Sequence, residues 1–247
     1  MSKTILITGA SSGLGAEMAR QFADLGYDLA LCARRTERLD ALAAEITART
    51  GRRVETAALD VTDADAVPAV FDRFAEAFGS IDRVVVNAGI GKGAALGTGR
   101  ADANRATAMT NFVGALAQTE AALEIFRRQQ RGHLVLISSM SALRGMRKAM
   151  TTYAATKAGV AALAEGLRSE RIPGLDVSVI YPGYIRSEMN AHVEQKVRFM
   201  VDTPTGVRSM VEAIEKRRPK AYVPAWPWVP IGALMKVLPL SVVRKLT

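Results

Sequence analysis

Apolar and polar positions alternate along this chain in two distinct rhythms. Short aliphatic or β-branched runs recur at residues 4–8, 28–32, 53–59, 83–87, 133–138 and 176–181, and runs of that length and composition predict strands. Between them the apolar spacing lengthens to a helical period. Residues 16–25 set Met18, Ala19, Phe22 and Leu25 on one face, and residues 37–49 do the same with Leu39, Leu42, Ala43 and Ile46. Residues 100–129 carry a longer apolar stripe, and residues 152–171 read as a further helix. Strands alternating with helices imply a parallel sheet covered on both faces. The expected fold is therefore α/β, a doubly wound parallel sheet of about seven strands, with residues 221–224 as the seventh. No repeat, low-complexity tract or linker divides the chain, so residues 1–247 are expected to form one Rossmann-type domain with its sites beyond the carboxyl ends of the strands.

At 247 residues with 49% hydrophobic content the chain can bury a sizeable core. Cys32 is the one cysteine, which excludes a disulfide framework and any multi-cysteine metal site and fits a reducing compartment. With so few histidines as well, no metal site is expected. The start, Met-Ser-Lys-Thr-Ile-Leu-Ile-Thr-Gly, turns at glycine without the long apolar stretch of a signal peptide or membrane span, so a cytoplasmic location is expected. The formal charge of +9 is unevenly placed: from Lys196 onward ten basic residues face three acids. Such a surplus suits nucleic acid or an anionic membrane surface. A solvated basic face is the commoner cause, and no nucleic-acid motif accompanies it.

Directly after the first strand comes Thr8-Gly9-Ala10-Ser11-Ser12-Gly13-Leu14-Gly15, leading into a helix. Glycines let backbone approach a pyrophosphate, and a helix N-terminus offers free N–H groups and a positive dipole end. The spacing is Gly-x-x-x-Gly-x-Gly, a variant of the better-known dinucleotide loop. A purely structural glycine turn competes with this reading, and the strand-to-helix context weighs against it. The second strand ends Leu31-Cys32-Ala33-Arg34-Arg35 with no acid. An acid there would hold a ribose 2′-hydroxyl, whereas arginine suits a 2′-phosphate. Arg34 and Arg35 also fit the role of ordinary surface arginines, but the missing acid removes the usual NAD contact, and NADP(H) is the expected cofactor.

Tyr153 and Lys157 stand four residues apart, which on a helix puts both on one face, about 6 Å apart along the axis. An ammonium near a phenol favours the phenolate and would bring the tyrosine toward neutral titration. Taken alone the spacing is weak, since any solvated helix face can carry it. In combination with the glycine loop, Asn87-Ala88-Gly89 after the fourth strand, Asn111, Ser139 and Pro182-Gly183, the chain resembles the short-chain dehydrogenase/reductase family from about Lys3 to Met189. The resemblance implies a one-domain Rossmann fold, a nicotinamide dinucleotide held by Gly9, Ser11, Ser12, Gly13, Leu14 and Gly15, and hydride transfer between alcohol and carbonyl.

Carried over by position, Arg34 matches the family's 2′-phosphate residue, and Asp60 and Val61 look like the adenine contacts. Asn87, Ala88 and Gly89 would line the adenine-ribose side, and Pro182, Gly183, Ile185 and Ser187 the nicotinamide side, with serine where threonine is usual. Tyr153 would be the proton donor. Lys157 would lower its pKa and bind the nicotinamide ribose, Ser139 would hydrogen-bond the substrate oxygen, and Asn111 would hold a water leading from Lys157 to solvent. Ser138, Ser139 and Ser141 all follow the fifth strand and any of them could simply cap a turn; the family pattern selects the second. The gap from Ser139 to Tyr153 is one residue longer than usual, which places an insertion within residues 144–149. Asn111 has the alternative of a local helical hydrogen bond.

Residues 188–201 occupy the place of the family's lid. Met189, Val193, Phe199 and Met200 there suit an apolar ketone or alcohol, although methionines at helical spacing more often just pack. His192 reads as a surface residue and His133 as structural. Residues 225–247 depart from a minimal family member: an apolar, proline-interrupted stretch with Trp226 and Trp228, flanked by Lys236, Arg244 and Lys245. Its prolines and lysine argue against a spanning helix. Tryptophans beside basic residues suit peripheral membrane contact, while packing in a core or against a subunit carries the greater weight. By resemblance, the helices at 100–129 and 152–171 make the interface of a homodimer or homotetramer. The expected activity is NADP(H)-dependent carbonyl reduction or alcohol oxidation. The alternatives are the keto-reducing half of an epimerase pair or a membrane-associated lipid-ketone reductase, and a non-catalytic NADP-binding regulatory protein.

Overall fold

The apolar runs form seven strands: β1 (Thr4–Thr8), β2 (Asp28–Ala33), β3 (Val54–Ala58), β4 (Arg83–Val86), β5 (Gly132–Ile137), β6 (Leu175–Pro182) and β7 (Lys220–Val223). The computed structural model describes residues 3–91, 93–190 and 199–246. All strands pair in parallel, in the order β3-β2-β1-β4-β5-β6-β7. The winding reverses between β1 and β4, where Ile5, Leu6 and Ile7 stand opposite Arg83, Val84 and Val85. At such a reversal the connections leave to opposite faces and open a crevice beyond the carboxyl ends.

Both faces of the sheet are buried, which is why its central strands read as unbroken apolar runs. Ile5, Ile7, Val85 and Val135 turn to one side, where they meet Met18 and Phe22 of α1 (Gly13–Asp24), Leu39 and Ile46 of α2 (Thr36–Thr50) and Met210 and Ile214 of α7 (Thr203–Glu215). Leu6, Val84, Val86 and Leu134 turn to the other. There they pack on α3 (Ala66–Phe78), α5 (Gly114–Gln129) and α6 (Met150–Ser169), through Phe71, Phe74, Phe126 and Val160. Each fully buried side chain of this size stabilises the fold by about 1.5–3 kcal/mol.

Two expectations change, and the tail, which the sequence pattern leaves without secondary structure, acquires it. The first helix begins at Gly13, three residues before the apolar face does, so the glycine loop itself supplies the first turn. The single helix expected over residues 100–129 is interrupted: α4 (Ala101–Ala108) runs through a π-helical turn at Met109–Val113 before α5. The proline-interrupted tail is helical, as α8 (Ala225–Val237) and α9 (Leu240–Leu246). Pro227 stands in the first turn of α8, where a proline's missing N–H costs nothing, and Trp226 is the non-helical residue at which α8 is kinked.

His133 lies fully buried at the amino ends of the strands, opposite the crevice. Its Nδ1 accepts from Arg83 Nε at 2.9 Å, so its proton sits on Nε2, 2.8 Å from Ser178 Oγ. Arg83 also pairs with Glu215, which accepts from the Tyr27 hydroxyl. Burial, with Arg83 next, pushes the imidazole pKa down to about 3. The unfolded chain takes up this proton near pH 6.5 and the folded chain declines it until about 3, so stability is lost as pH falls through that window. Between pH 7 and 4.5 this site is expected to cost roughly 2.5 kcal/mol, read as a urea midpoint shift that shrinks in His133→Gln.

Candidate active site

The glycine loop is shaped by contacts that exclude side chains. Gly9 and Gly13 have φ of +64° and +54°, in the left-handed region that favours glycine. A Cβ on Gly9 would lie 2.9 Å from Ala88 Cα, and one on Gly15 would lie 2.4 Å from the Gly9 carbonyl oxygen. The loop is held to the neighbouring strand by Thr8, whose Oγ1 accepts from the N–H groups of Asn87 and Ala88, both at 3.0 Å. Asn87 Nδ2 donates back to the Thr8 carbonyl at 2.9 Å. Asn87 and Ala88 thus border the glycine loop across the β1/β4 crevice, while Gly89 turns toward Asn111 and Lys157. Ser12 is the N-cap of α1 but makes no side-chain cap, and the first turn holds no acid. The amino end of α1 therefore keeps its free N–H groups and positive dipole end for an anion.

The arginines at the end of β2 divide. Arg34 faces Asp60 at 3.8 Å, and Asp60 is itself held low in pKa chiefly by the Thr62 backbone N–H. Arg35 lies over the glycine loop, donating from Nε to Ser11 Oγ at 3.2 Å and from Nη2 to Ser12 Oγ at 2.5 Å. Val61 is buried against the start of α5, where a Cβ on Gly114 would lie 2.7 Å from its carbonyl oxygen. Two charged residues beyond those expected join this end. Arg38 and Arg35 both bind the carboxylate of Glu188. Arg38 was legible as the residue one helical turn past Arg35, whereas Glu188 comes from the far end of the chain.

Across the crevice, Ser139, Tyr153 and Lys157 meet beyond β5. Ser138 Oγ donates to the Lys157 carbonyl at 2.8 Å and so ties α6 to the sheet. Ser139 lies by the Tyr153 phenol, close enough to lower its pKa, and its Oγ accepts from Ser141 N–H at 3.2 Å. Ser138 therefore anchors α6, while Ser139 both faces the phenol and caps the 3-10 turn Met140–Leu143, the N–H of Ser141 being the group it caps. Residues 144–149 link that turn to α6.

Lys157 is buried, donates from Nζ to the Ile137 carbonyl at 2.9 Å, and lies 5.9 Å from the centre of the Tyr153 ring. Burial lowers its pKa to about 8, so at pH 7 the ammonium still predominates by about tenfold. The expected depression of the tyrosine does not occur in the chain alone. Burial raises the Tyr153 pKa, and the neighbouring Ser139 hydroxyl offsets this only in part. The phenol thus keeps its proton at neutral pH.

Asn111 sits in the π-helical turn, as interrupted helices often do at functional sites. Its amide does not bond locally. Oδ1 accepts from Ile90 N–H at 2.7 Å and Nδ2 donates to the Ile90 carbonyl at 2.9 Å, which fixes the loop after β4. A Cβ on Gly89 would lie 3.3 Å from Asn111 Oδ1 and 3.4 Å from Lys157 Nζ, so these two groups flank the same glycine.

Pro182 ends β6, and Gly183 N–H donates to the Val223 carbonyl at 2.9 Å. A Cβ on Gly183 would lie 2.1 Å from the Trp228 ring, so the indole of α8 packs directly on this loop. Ile185 is buried and pairs with Val201 in an isolated parallel bridge, and Ser187 approaches Gly13. Met189 lies against Gly91, while Phe199 is exposed with φ +63° and Met200 is half-buried. Val193 and His192 fall outside the described residues. Trp228 has no signal of its own in the sequence beyond its neighbour Trp226, from which it differs sharply: 5% exposed against 78%.

A seven-stranded doubly wound sheet, a glycine loop at its switch point and a Ser-Tyr-Lys cluster beyond β5 define a dinucleotide-linked dehydrogenase. The family described as short chain dehydrogenase matches residues 3–198, and the chain belongs to this oxidoreductase family. It is 52% identical over 243 residues to an uncharacterized oxidoreductase of Mycobacterium tuberculosis, covering 98% of this chain and 96% of that one. A solved short-chain dehydrogenase from Sphingobium yanoikuyae in complex with NADPH superposes with a TM-score of 0.81 at 28% identity, covering 97% of each chain. A short-chain dehydrogenase/reductase from Burkholderia phymatum in complex with NAD shares the fold at a TM-score of 0.83 and 23% identity, over 96% of this chain and 92% of that one.

Proposed function

We propose that the chain is an NADP(H)-dependent oxidoreductase that interconverts a ketone or aldehyde and an alcohol, with Tyr153 as general acid/base. The observation that carries this reading is the Tyr153 ring beside the buried Lys157, whose Nζ lies 5.9 Å from the ring centre, with Ser139 at the phenol. The residues fit a dinucleotide: Gly9 and Gly15 leave no room for side chains, Ser12 at the amino end of α1 makes no side-chain cap, and Arg35 lies over the loop. When bound, the nicotinamide group supplies or accepts the hydride at the carbon of the substrate. The substrate oxygen, gaining negative charge in reduction, takes the Tyr153 proton while Ser139 Oγ hydrogen-bonds it. Lys157 holds positive charge beneath the phenol and stabilises the phenolate left behind. Asn111 fixes the Gly89–Ile90 segment against Lys157 and bounds the path for reprotonation. Arg34 and Arg35 favour a 2′-phosphate, so Arg34→Asp combined with Arg35→Ser is expected to reduce NADPH preference over NADH by at least tenfold in initial rates. An unchanged preference would refute the cofactor assignment. Cofactor binding with no turnover on a broad ketone panel would favour a regulatory protein instead.

Two exposed apolar surfaces bear on partners. Met109, Phe112, Val113 and Leu116 form one stripe at helical spacing, and Phe112 packs over Gly159 of α6. This face supports the homodimer or homotetramer reading, and Leu116→Glu is expected to lower the mass seen by light scattering. A second surface, Trp226, Val229, Leu234, Val237 and Leu240, is also exposed, and the sequence has no acid after Glu215. This surface favours peripheral contact with an anionic membrane as a second reading. Among the described residues no helix is long and apolar enough to cross one. Deleting residues after Gly232 should then abolish sedimentation with phosphatidylserine vesicles; a mass change without loss of sedimentation would assign the tail to a subunit interface.

A further inference from the structure

We propose that Glu188 is an internal competitor for the anion cradle formed by Ser12, Arg35 and Arg38, and that it sets how strongly the chain binds a 2′-phosphate. The proposal rests on the NADP(H) reading above. Arg35 spans the cradle: Nε and Nη2 donate to Ser11 and Ser12 of the glycine loop, and Nη1 donates to Glu188 Oε2 at 3.1 Å. Arg38 Nη1 donates to Glu188 Oε1 at 2.5 Å. Two guanidinium groups therefore converge on one carboxylate, and each carboxylate oxygen is taken by a different arginine. These contacts, the Arg38 hydrogen bond first, lower the Glu188 pKa from its ordinary value, so it is ionised at neutral pH. Arg34 is not part of this cluster, because it faces Asp60.

The chemistry of the cradle is that of a phosphomonoester site. A phosphomonoester carries close to two charges and three acceptor oxygens, against one charge and two oxygens for a carboxylate. Two convergent arginines are thus only partly neutralised by Glu188. A ligand with a 2′-phosphate must displace the carboxylate to reach Arg35 and Arg38, whereas a ligand with a bare 2′-hydroxyl has no charge with which to compete. Glu188 follows Ser187, which lies against Gly13, so the carboxylate reaches across the crevice from the segment after β6 to the cofactor side. All three charged side chains are about half exposed, so water screens the pairs and the competition is worth a modest factor.

Titration calorimetry on the full chain with 2′,5′-ADP and 5′-AMP separates the possibilities. Glu188→Gln is expected to bind 2′,5′-ADP three- to tenfold more tightly, roughly what two screened ion pairs permit, with 5′-AMP changed less than twofold. In an Arg35→Gln, Arg38→Gln background the gain should vanish, because the competitor then has nothing to occupy. Unchanged 2′,5′-ADP affinity in Glu188→Gln, an equal gain for both ligands, or a gain that survives loss of the two arginines would each overturn the proposal. The wild-type chain reports separately on cofactor type: 2′,5′-ADP bound no more tightly than 5′-AMP sinks the NADP(H) reading, whereas a strong preference with no Glu188 effect sinks the competitor alone.

Discussion

Tyr153→Phe is expected to lower turnover by a factor of about 10² to 10⁴ while NADPH binding changes less than twofold. The phenol oxygen is the donor in the proposed reduction, and the ring that packs beside Lys157 at 5.9 Å is retained in phenylalanine. Fluorescence titration of NADPH and steady-state rates on the same preparation check both halves, and retained activity would sink the proposed acid. The pH profile carries a sign. Because burial raises the Tyr153 pKa, reduction should hold across neutral pH and fall only in alkali, whereas alcohol oxidation, which needs the phenol to accept a proton, should rise over the same range. Lys157, lowered by burial to about 8, loses its charge earlier, so the reductive limb should begin to fall near that pH.

Trp228→Ala is expected to cost about 3–5 kcal/mol. The indole is buried and packs on Gly183 and against Tyr184, whose ring centre is 5.5 Å away. For a chain of this size each kcal/mol shifts the melting temperature by about 2–4 °C, so a drop on the order of 10 °C follows. Trp226→Ala, at a residue 78% exposed, should stay within about 0.5 kcal/mol. Equal melting shifts for the two variants would contradict this division. Since Trp228 covers the loop at Gly183, its loss should also weaken NADPH binding, which the exposed tryptophan should leave alone.

The central strands were legible because a sheet buried on both faces writes itself as unbroken apolar runs, whereas the half-exposed edge strands β3 and β7 stood out as short β-branched or aliphatic segments; each was located to within a residue or two at its ends. The glycine loop was legible for a similar reason: its constraints are local, and strand, turn and helix follow one another in the chain. The helix at residues 100–129 was read without its π-helical turn, because no side chain in Met109–Val113 forbids ordinary helix; the turn accompanies the pairing of Asn111 with Ile90, a contact between segments. The spacing of Tyr153 and Lys157 likewise gave their common face but not the balance of forces on the phenol. Proximity of an ammonium argued for a lowered pKa, whereas burial, which spacing does not report, raises it.

Taken by itself, the sequence determined the parallel α/β sheet, the place of the dinucleotide loop and the identity of the residues that gather beyond β5, since all of these follow from local period, turn chemistry and order along the chain. Tertiary structure alone decided which of the two tryptophans flanking Pro227 is core, which arginine lies over the glycine loop, and that Glu188 meets Arg35 and Arg38. Those outcomes depend on burial and on charges brought together from segments some 150 residues apart, and neither quantity is carried by the spacing of residues along a chain.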